Sequence, residues 1–199
     1  MQFYPKETKL VVSMDLKNDV HFRCWCDYEK ELLKKAISPK DLLEVALLAV
    51  SRLSDKFHIV CGPITSGGQG NVDNNLLVFQ AMIEMLWAKR NLNVFSQMPF
   101  EQQMVKFNKD WLKEHPYMTY CTPILDDFYA PFFKICAPRI EAAHFIHGWE
   151  SSYGARWEHD RCLHFRIPTR DLTAADTIGA LQFYAHAIMP VGRSLAGLV

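Results

Sequence analysis

Lys56 to Asn71 read "KFHIVCGPITSGGQGN", and the fold turns on how that stretch is parsed. Phe57 to Cys61 is a short apolar run with the look of a buried strand. Gly62 and Pro63 stop it. Gly67, Gly68 and Gly70 then let the backbone turn tightly. The stretch "DNNLLVFQAMIEMLWAKR" (73–90) follows, with Leu76, Phe79, Ile83, Leu86 and Trp87 recurring at helical spacing. Strand, glycine-rich turn and helix together make one βα unit.

Downstream the alternation continues. "NVFSQMPFEQQ" (93–103) reads as a strand running into a loop, and 101–115 as a helix. Asp126 to Cys136 reads as a short helix interrupted near Pro131. "EAAHFIHGW" (141–149) is strand-like, "GARWEHDRCLHF" (154–165) is helical with a further strand expected at 163–168, and "DLTAADTIGALQFYAHAI" (171–188) is a C-terminal helix. Strands alternating with helices imply an α/β fold with a doubly wound, mainly parallel sheet, flavodoxin-like in outline.

Upstream, "KLVVSMDLKNDVHFRCWC" (9–26) has the alternation of one or two short strands. "SPKDLLEVALLAVSRLSDK" (38–56) is a helix: Ser38 is a natural N-cap, Pro39 suits the first turn, and Leu42, Val45, Leu48 and Leu53 share a face. Ala46 and Ala49 make the other side apolar too, so this helix is expected to pack on two neighbours. Residues 1–55 are read as an N-terminal extension and 56–199 as the α/β domain.

Of the 199 residues 49% are hydrophobic, enough for a real core, and the formal net charge is zero. A cationic field for nucleic acid or a membrane surface is not indicated. The start, "MQFYPKETKL", lacks a basic segment followed by an apolar one, and no run nears the ~20 apolar residues of a membrane-spanning helix. Six cysteines, at 24, 26, 61, 121, 136 and 162, lack paired CxxC spacing. Buried thiols in a reducing cytoplasm are the simplest expectation.

In such a sheet ligands bind outside the carboxyl ends of the strands. Three loops leave those ends, at 62–73, 95–101 and 148–154. The first, "GPITSGGQGN", can aim backbone N–H groups at a phosphate or sugar oxygen, with the dipole of the next helix behind it. It is neither a Walker loop nor GxGxxG, and an ordinary glycine-rich turn is the alternative. The third holds "GWESSYGARWEHDRC" (148–162). With the strand ending at Gly148 or Trp149, Ser151 or Ser152 caps the next helix. Gly154 lies one turn before Glu158 and leaves space above its carboxylate. The helix N-terminus favours the ionised form, which suits a nucleophile. The plainer alternative is a charge that offsets the helix dipole.

The combination of "GPITSGG", "FSQMPFE" and "GWESSYGARWEH" resembles the nucleoside 2-deoxyribosyltransferase superfamily, including its nucleotide N-glycosidases, over roughly residues 57–170. Transferase members carry D-x-G-T-x-x-E-like patterns, whereas hydrolases of 5′-monophosphates carry S-x-G-x-x-x-E. Ser152, Gly154 and Glu158 stand at the latter spacing. The resemblance implies that Glu158 is the catalytic nucleophile of a retaining double displacement at an N-glycosidic bond. It also implies that Gly62, Thr65, Ser66, Gly67, Gly68 and Ser152 surround the sugar or a 5′-phosphate, that Gln97 contacts the base, and that a nucleoside or nucleotide is the small-molecule partner. A homo-oligomer is implied as well.

No cofactor is called for, and His159, Cys162 and His164 lack further ligands at metal-binding spacing. Trp149, flanked by Tyr153 and Trp157, is a candidate platform for stacking a base. The superfamily's frequent Asp is replaced by Glu141 at the far strand end, so the proton donor is open: Asp126, Asp127 and His147 are candidates. Arg156 is turned away from Glu158 by helix rotation. Two other classes stay in view. One is a non-catalytic nucleotide-binding module of the same fold. The other is a structural subunit whose aromatic surface docks a partner, which an Arg156 or Arg161 ion pair filling the space at Glu158 would favour.

Overall fold

The computed structural model describes residues 25–64 and 67–188. Four strands form one parallel sheet: β1 (Phe57–Cys61), β2 (Val94–Phe95), β3 (Ile140–Phe145) and β4 (Thr169–Asp171), in the order β2-β1-β3-β4. Every residue of β1 is buried, as expected of a central strand covered on both faces. From β1 the chain crosses to β2 on one side, then returns to β3 on the other. The switch point therefore lies between β1 and β3, and the order of the four described strands matches the flavodoxin-like one.

Helices cover both faces. On one face α3 (Val72–Arg90) and α7 (Ala174–Ile188) close over Val60, Val94 and Ile146. Asn71 caps α3, accepting from the Asn74 amide at 2.8 Å, and Asn91 ends it in the left-handed conformation, φ 48°. Arg90 joins Asp176 at 2.7 Å, tying α3 to α7. The other face, with Phe57, Ile59, Cys61, Ala143 and Phe145, lies under α2 (Pro39–Ser51), α5 (Ala130–Cys136) and α6 (Tyr153–His164). The helix α4 (Glu101–Glu114) follows a short 3-10 turn after β2.

Ser38 caps α2, as the sequence predicts, and Asp41 completes a capping box. Leu42, Val45, Ala46 and Ala49 are buried, while Leu48 turns to solvent. One helix was not anticipated: α1 (Asp27–Lys35) packs on α2. Its Glu29, fully buried, meets Arg52 Nε at 2.6 Å just past the end of α2. That charge-assisted pair fixes α1 against the domain.

Three other expectations change. Pro131 does not interrupt a helix; a π-helical turn, Ile124–Tyr129, runs straight into α5, and Pro131 sits in its first turn, where its missing N–H is harmless. β3 ends at Phe145, and Gly148 (φ 80°) leads into a 3-10 turn at Trp149–Ser151. The strand expected at 163–168 is absent: α6 continues to His164, Arg166 turns the chain at φ 58°, and β4 begins at Thr169. The strands read into residues 9–24 lie outside the described residues.

Candidate active site

At the carboxyl end of the sheet, beside the switch point, a cleft opens between the loops after β1 and β3, the start of α6, α4 and the π-helical turn. Its cavity volume is about 60 Å³, space for a few water molecules. Of the residues the sequence reading groups into a site, Gly62, Ser152, Gly154 and Glu158 line this cavity. Ser152 is buried and caps α6, accepting from the Ala155 amide at 3.5 Å. A Cβ on Gly154 would meet nothing within 4 Å, so the space beside Glu158 is open there.

Glu158 itself is only 7% exposed. Loss of water pushes its carboxyl up to about 8; a hydrogen bond with the Cys61 thiol works the other way, and the nearby Glu101 charge adds to the rise. This overturns the expectation of a helix-stabilised carboxylate. Glu158 is the sixth residue of α6, beyond the first turn where the dipole acts, so desolvation wins.

The opposite wall supplies a group the sequence reading passed over. Glu101, the first residue of α4, is 9% exposed and lines the same cavity. Burial pushes it up to about 7, and no hydrogen bond or ion pair holds it among the described residues. Among the described residues no Lys, Arg or His lines the cleft. Two nearby like charges in such a space cannot both ionise readily, so the pair tends to share a proton near neutral pH. Tyr120 and Tyr129 also line the cavity, and burial followed by the Glu158 and Glu101 charges keeps both phenols neutral.

Several predicted contacts are used elsewhere. Gln97 is buried behind the wall, donating to the Val60 carbonyl and accepting from the Tyr129 hydroxyl, each at 2.9 Å, so it supports Tyr129 and does not meet a base. Gly67 and Gly68 have positive φ as expected, but their loop is folded on itself. The Gly68 amide donates to Ser151 Oγ at 2.9 Å and the Gln69 amide to Asn75 Oδ1 at 2.7 Å, leaving neither for a phosphate. Thr65 and Ser66 lie outside the described residues. Trp149 stacks on His159, ring centroids 4.4 Å apart, and packs on Phe145; it is not part of the cleft.

The candidate proton donors fall away from the cleft as well. Asp126 and His147 are exposed, the latter because β3 stops before it, and Asp127 lies 3.8 Å from Lys40. Glu141, at the start of β3, faces His58 at 3.5 Å. Arg156 donates to the Glu150 carbonyl and Arg161 lies over the Trp157 ring, so neither neutralises Glu158. The described residues include no group of three or more His, Cys, Asp or Glu arranged for a metal ion, and no helix long and apolar enough to cross a membrane.

Fold and site together define a doubly wound α/β protein with a two-carboxyl cleft at its switch point. No protein-family model, curated protein or solved structure matches the chain.

Proposed function

We propose that this protein cleaves or transfers at the N-glycosidic bond of a nucleoside or nucleoside 5′-monophosphate, with Glu158 as nucleophile and Glu101 as proton donor. One observation carries the reading: two carboxyls, each about nine-tenths buried, face one cavity without a cation between them. Uncompensated buried acids are unfavourable for folding and cluster where chemistry needs them.

Burial holds both carboxyls of the cleft toward the protonated form. A sugar developing positive charge at its anomeric carbon stabilises the Glu158 anion, as does the hydrogen bond from Cys61. The shared proton then resides on Glu101. A Glu158 oxygen bonds to the anomeric carbon as the carbon–nitrogen bond breaks, and Glu101 protonates the departing base. Water, giving its proton to the Glu101 carboxylate, then attacks the glycosyl ester and frees Glu158; a second base in place of water gives transfer. Ser152 offers a hydroxyl to the sugar, and neutral Tyr120 offers a hydrogen-bond donor.

Incubation with a panel of nucleosides and 5′-monophosphates, with chromatography for free base, tests the reading. Release by the wild-type chain and not by Glu158→Gln supports it; no release from any substrate overturns it. The alternative is a non-catalytic nucleotide-binding module, favoured by the high proton affinity of both acids in the empty cleft. Saturable binding without base release selects that module. The resemblance also carries a cytoplasmic homo-oligomer, which sedimentation of the purified chain tests for its assembly.

A further inference from the structure

We infer that the cleft takes an N-glycoside whose base carries a positive charge and whose sugar carries no phosphate. The inference rests on the glycosidic reading for the word glycoside, but on the cleft's own charges for the rest. Glu101 is buried, faces the cavity and has no partner among the described residues. Glu158, on the other wall, has only the Cys61 thiol. A buried acid normally faces a cation. Among the described residues, none that lines this cavity supplies one.

Among the described residues, groups that could hold an anion beside the cleft are engaged elsewhere. The nearest glycine loop has its Gly68 and Gln69 amides committed to Ser151 and Asn75. Arg156 is exposed and held on the Glu150 carbonyl, and Arg161 lies over Trp157. A 5′-phosphate would bring negative charge toward two acids in a site of low dielectric. A cationic ring brings the missing counter-charge, and Tyr120 and Tyr129 add aromatic surface suited to it.

The chemistry also becomes simpler. When the ring nitrogen at the sugar already bears the positive charge, the breaking carbon–nitrogen bond returns its electron pair to that ring, which leaves neutral. A Glu158 oxygen takes its place on the anomeric carbon. No proton is needed for departure, so Glu101 acts only afterwards, accepting a proton from the attacking water.

Three probes separate the possibilities: nicotinamide riboside, whose ring is permanently cationic; inosine, which is neutral; and nicotinamide mononucleotide, the first probe with a 5′-phosphate. Calorimetry at pH 8 in two buffers of different ionisation enthalpy gives affinity and protons released. Nicotinamide riboside is expected to bind at least about ten-fold more tightly than either other probe, with proton release. Glu101→Gln and Glu158→Gln, checked by circular dichroism, should each shrink the preference over inosine by about ten-fold. Equal or tighter binding of inosine or the mononucleotide, absence of proton release, or no binding of any probe overturns the inference. Tight binding of the riboside without nicotinamide release leaves the inference standing and sinks the catalytic reading. Base release from inosine or the mononucleotide without preference for the riboside does the reverse.

Discussion

Two pairs of buried titratable side chains sit on opposite faces of the same sheet. On the cleft side are Glu101 and Glu158. On the α3 and α7 side are His58 and His144, with His144 Nε2 and His58 Nδ1 3.1 Å apart. Burial acts on both pairs in the same sense, toward the neutral form. It pushes the acids up to about 7 and about 8, and it pushes His144 down to about 4, helped by His58, Arg170 and Arg90. His58 is lowered by burial, with Glu141 opposing. The pairs differ in what they face. The imidazoles face each other and Glu141, and neither lines the cleft. The acids face a void. Perturbed ionisation marks both pairs; only the void marks a site for a ligand.

Isosteric substitution gives the largest contrast. Glu158→Gln should lower base release by about 10³-fold with an unchanged circular-dichroism spectrum, while His144→Gln should leave the rate within about two-fold. Equal losses from the two would erase the distinction between the pairs.

Stability against pH sharpens it next. A carboxyl raised from 4.5 to about 8 binds its proton more tightly when folded. Its stabilising share is full below pH 4.5 and is lost as pH rises toward 8. Glu101 acts in the same direction, toward about 7. His144, lowered from 6.5 to about 4, has its share in place above pH 6.5 and loses it as pH falls toward 4. Between pH 4.5 and 6.5 these trends oppose each other, and above pH 6.5 only the acids act, so denaturant melts should show stability falling from pH 6.5 to 8. Each Glu→Gln change should raise stability at pH 8 by on the order of 1–3 kcal/mol, and His144→Gln should flatten only the acidic side.

Two glycines come next, one in the loop after β1 and one in the cleft wall. Gly67→Ala places a Cβ 2.3 Å from Ser151 Oγ at φ +73° and should cost about 1–3 kcal/mol in urea unfolding. Gly154→Ala adds its methyl to open space in a helix and should leave the melt unchanged or slightly higher, while weakening ligand binding. Ser152→Ala, which removes the cap of α6, should cost about 1 kcal/mol, read from the same urea curves.

The parts of the fold legible in the sequence were those whose pattern is local. The run at 57–61 and the helical spacing at 38–53 and 73–90 describe buried faces directly. α1 escaped because "DYEKELLKK" buries only Leu33 and the carboxyl of Glu29, too thin a stripe to read. β4 escaped because "TRD" is short, polar and on an edge, while the apolar "LHF" before it belongs to α6 and its turn. In the site, Glu158 and its Gly154 neighbour were readable from spacing along one helix. Glu101 stood in plain view in "FSQMPFE", yet an acid at a helix start is usually exposed. Its burial comes from residues brought over from elsewhere in the chain, which no local pattern announces. Gln97 and Trp149 failed for the converse reason: their polar or aromatic groups are claimed by Val60, Tyr129 and His159, partners distant or out of pattern.

The Ser151 hydroxyl donates to the Gly148 carbonyl and accepts from the Gly68 amide, so one side chain buttons together the two loops that flank the switch point. Facing that button across the cleft, Glu101, Val105 and Asn108 all line the cavity from one helix, α4. That wall belongs to a helix that follows the shortest strand of the sheet, so its side chains can change without disturbing the central strands.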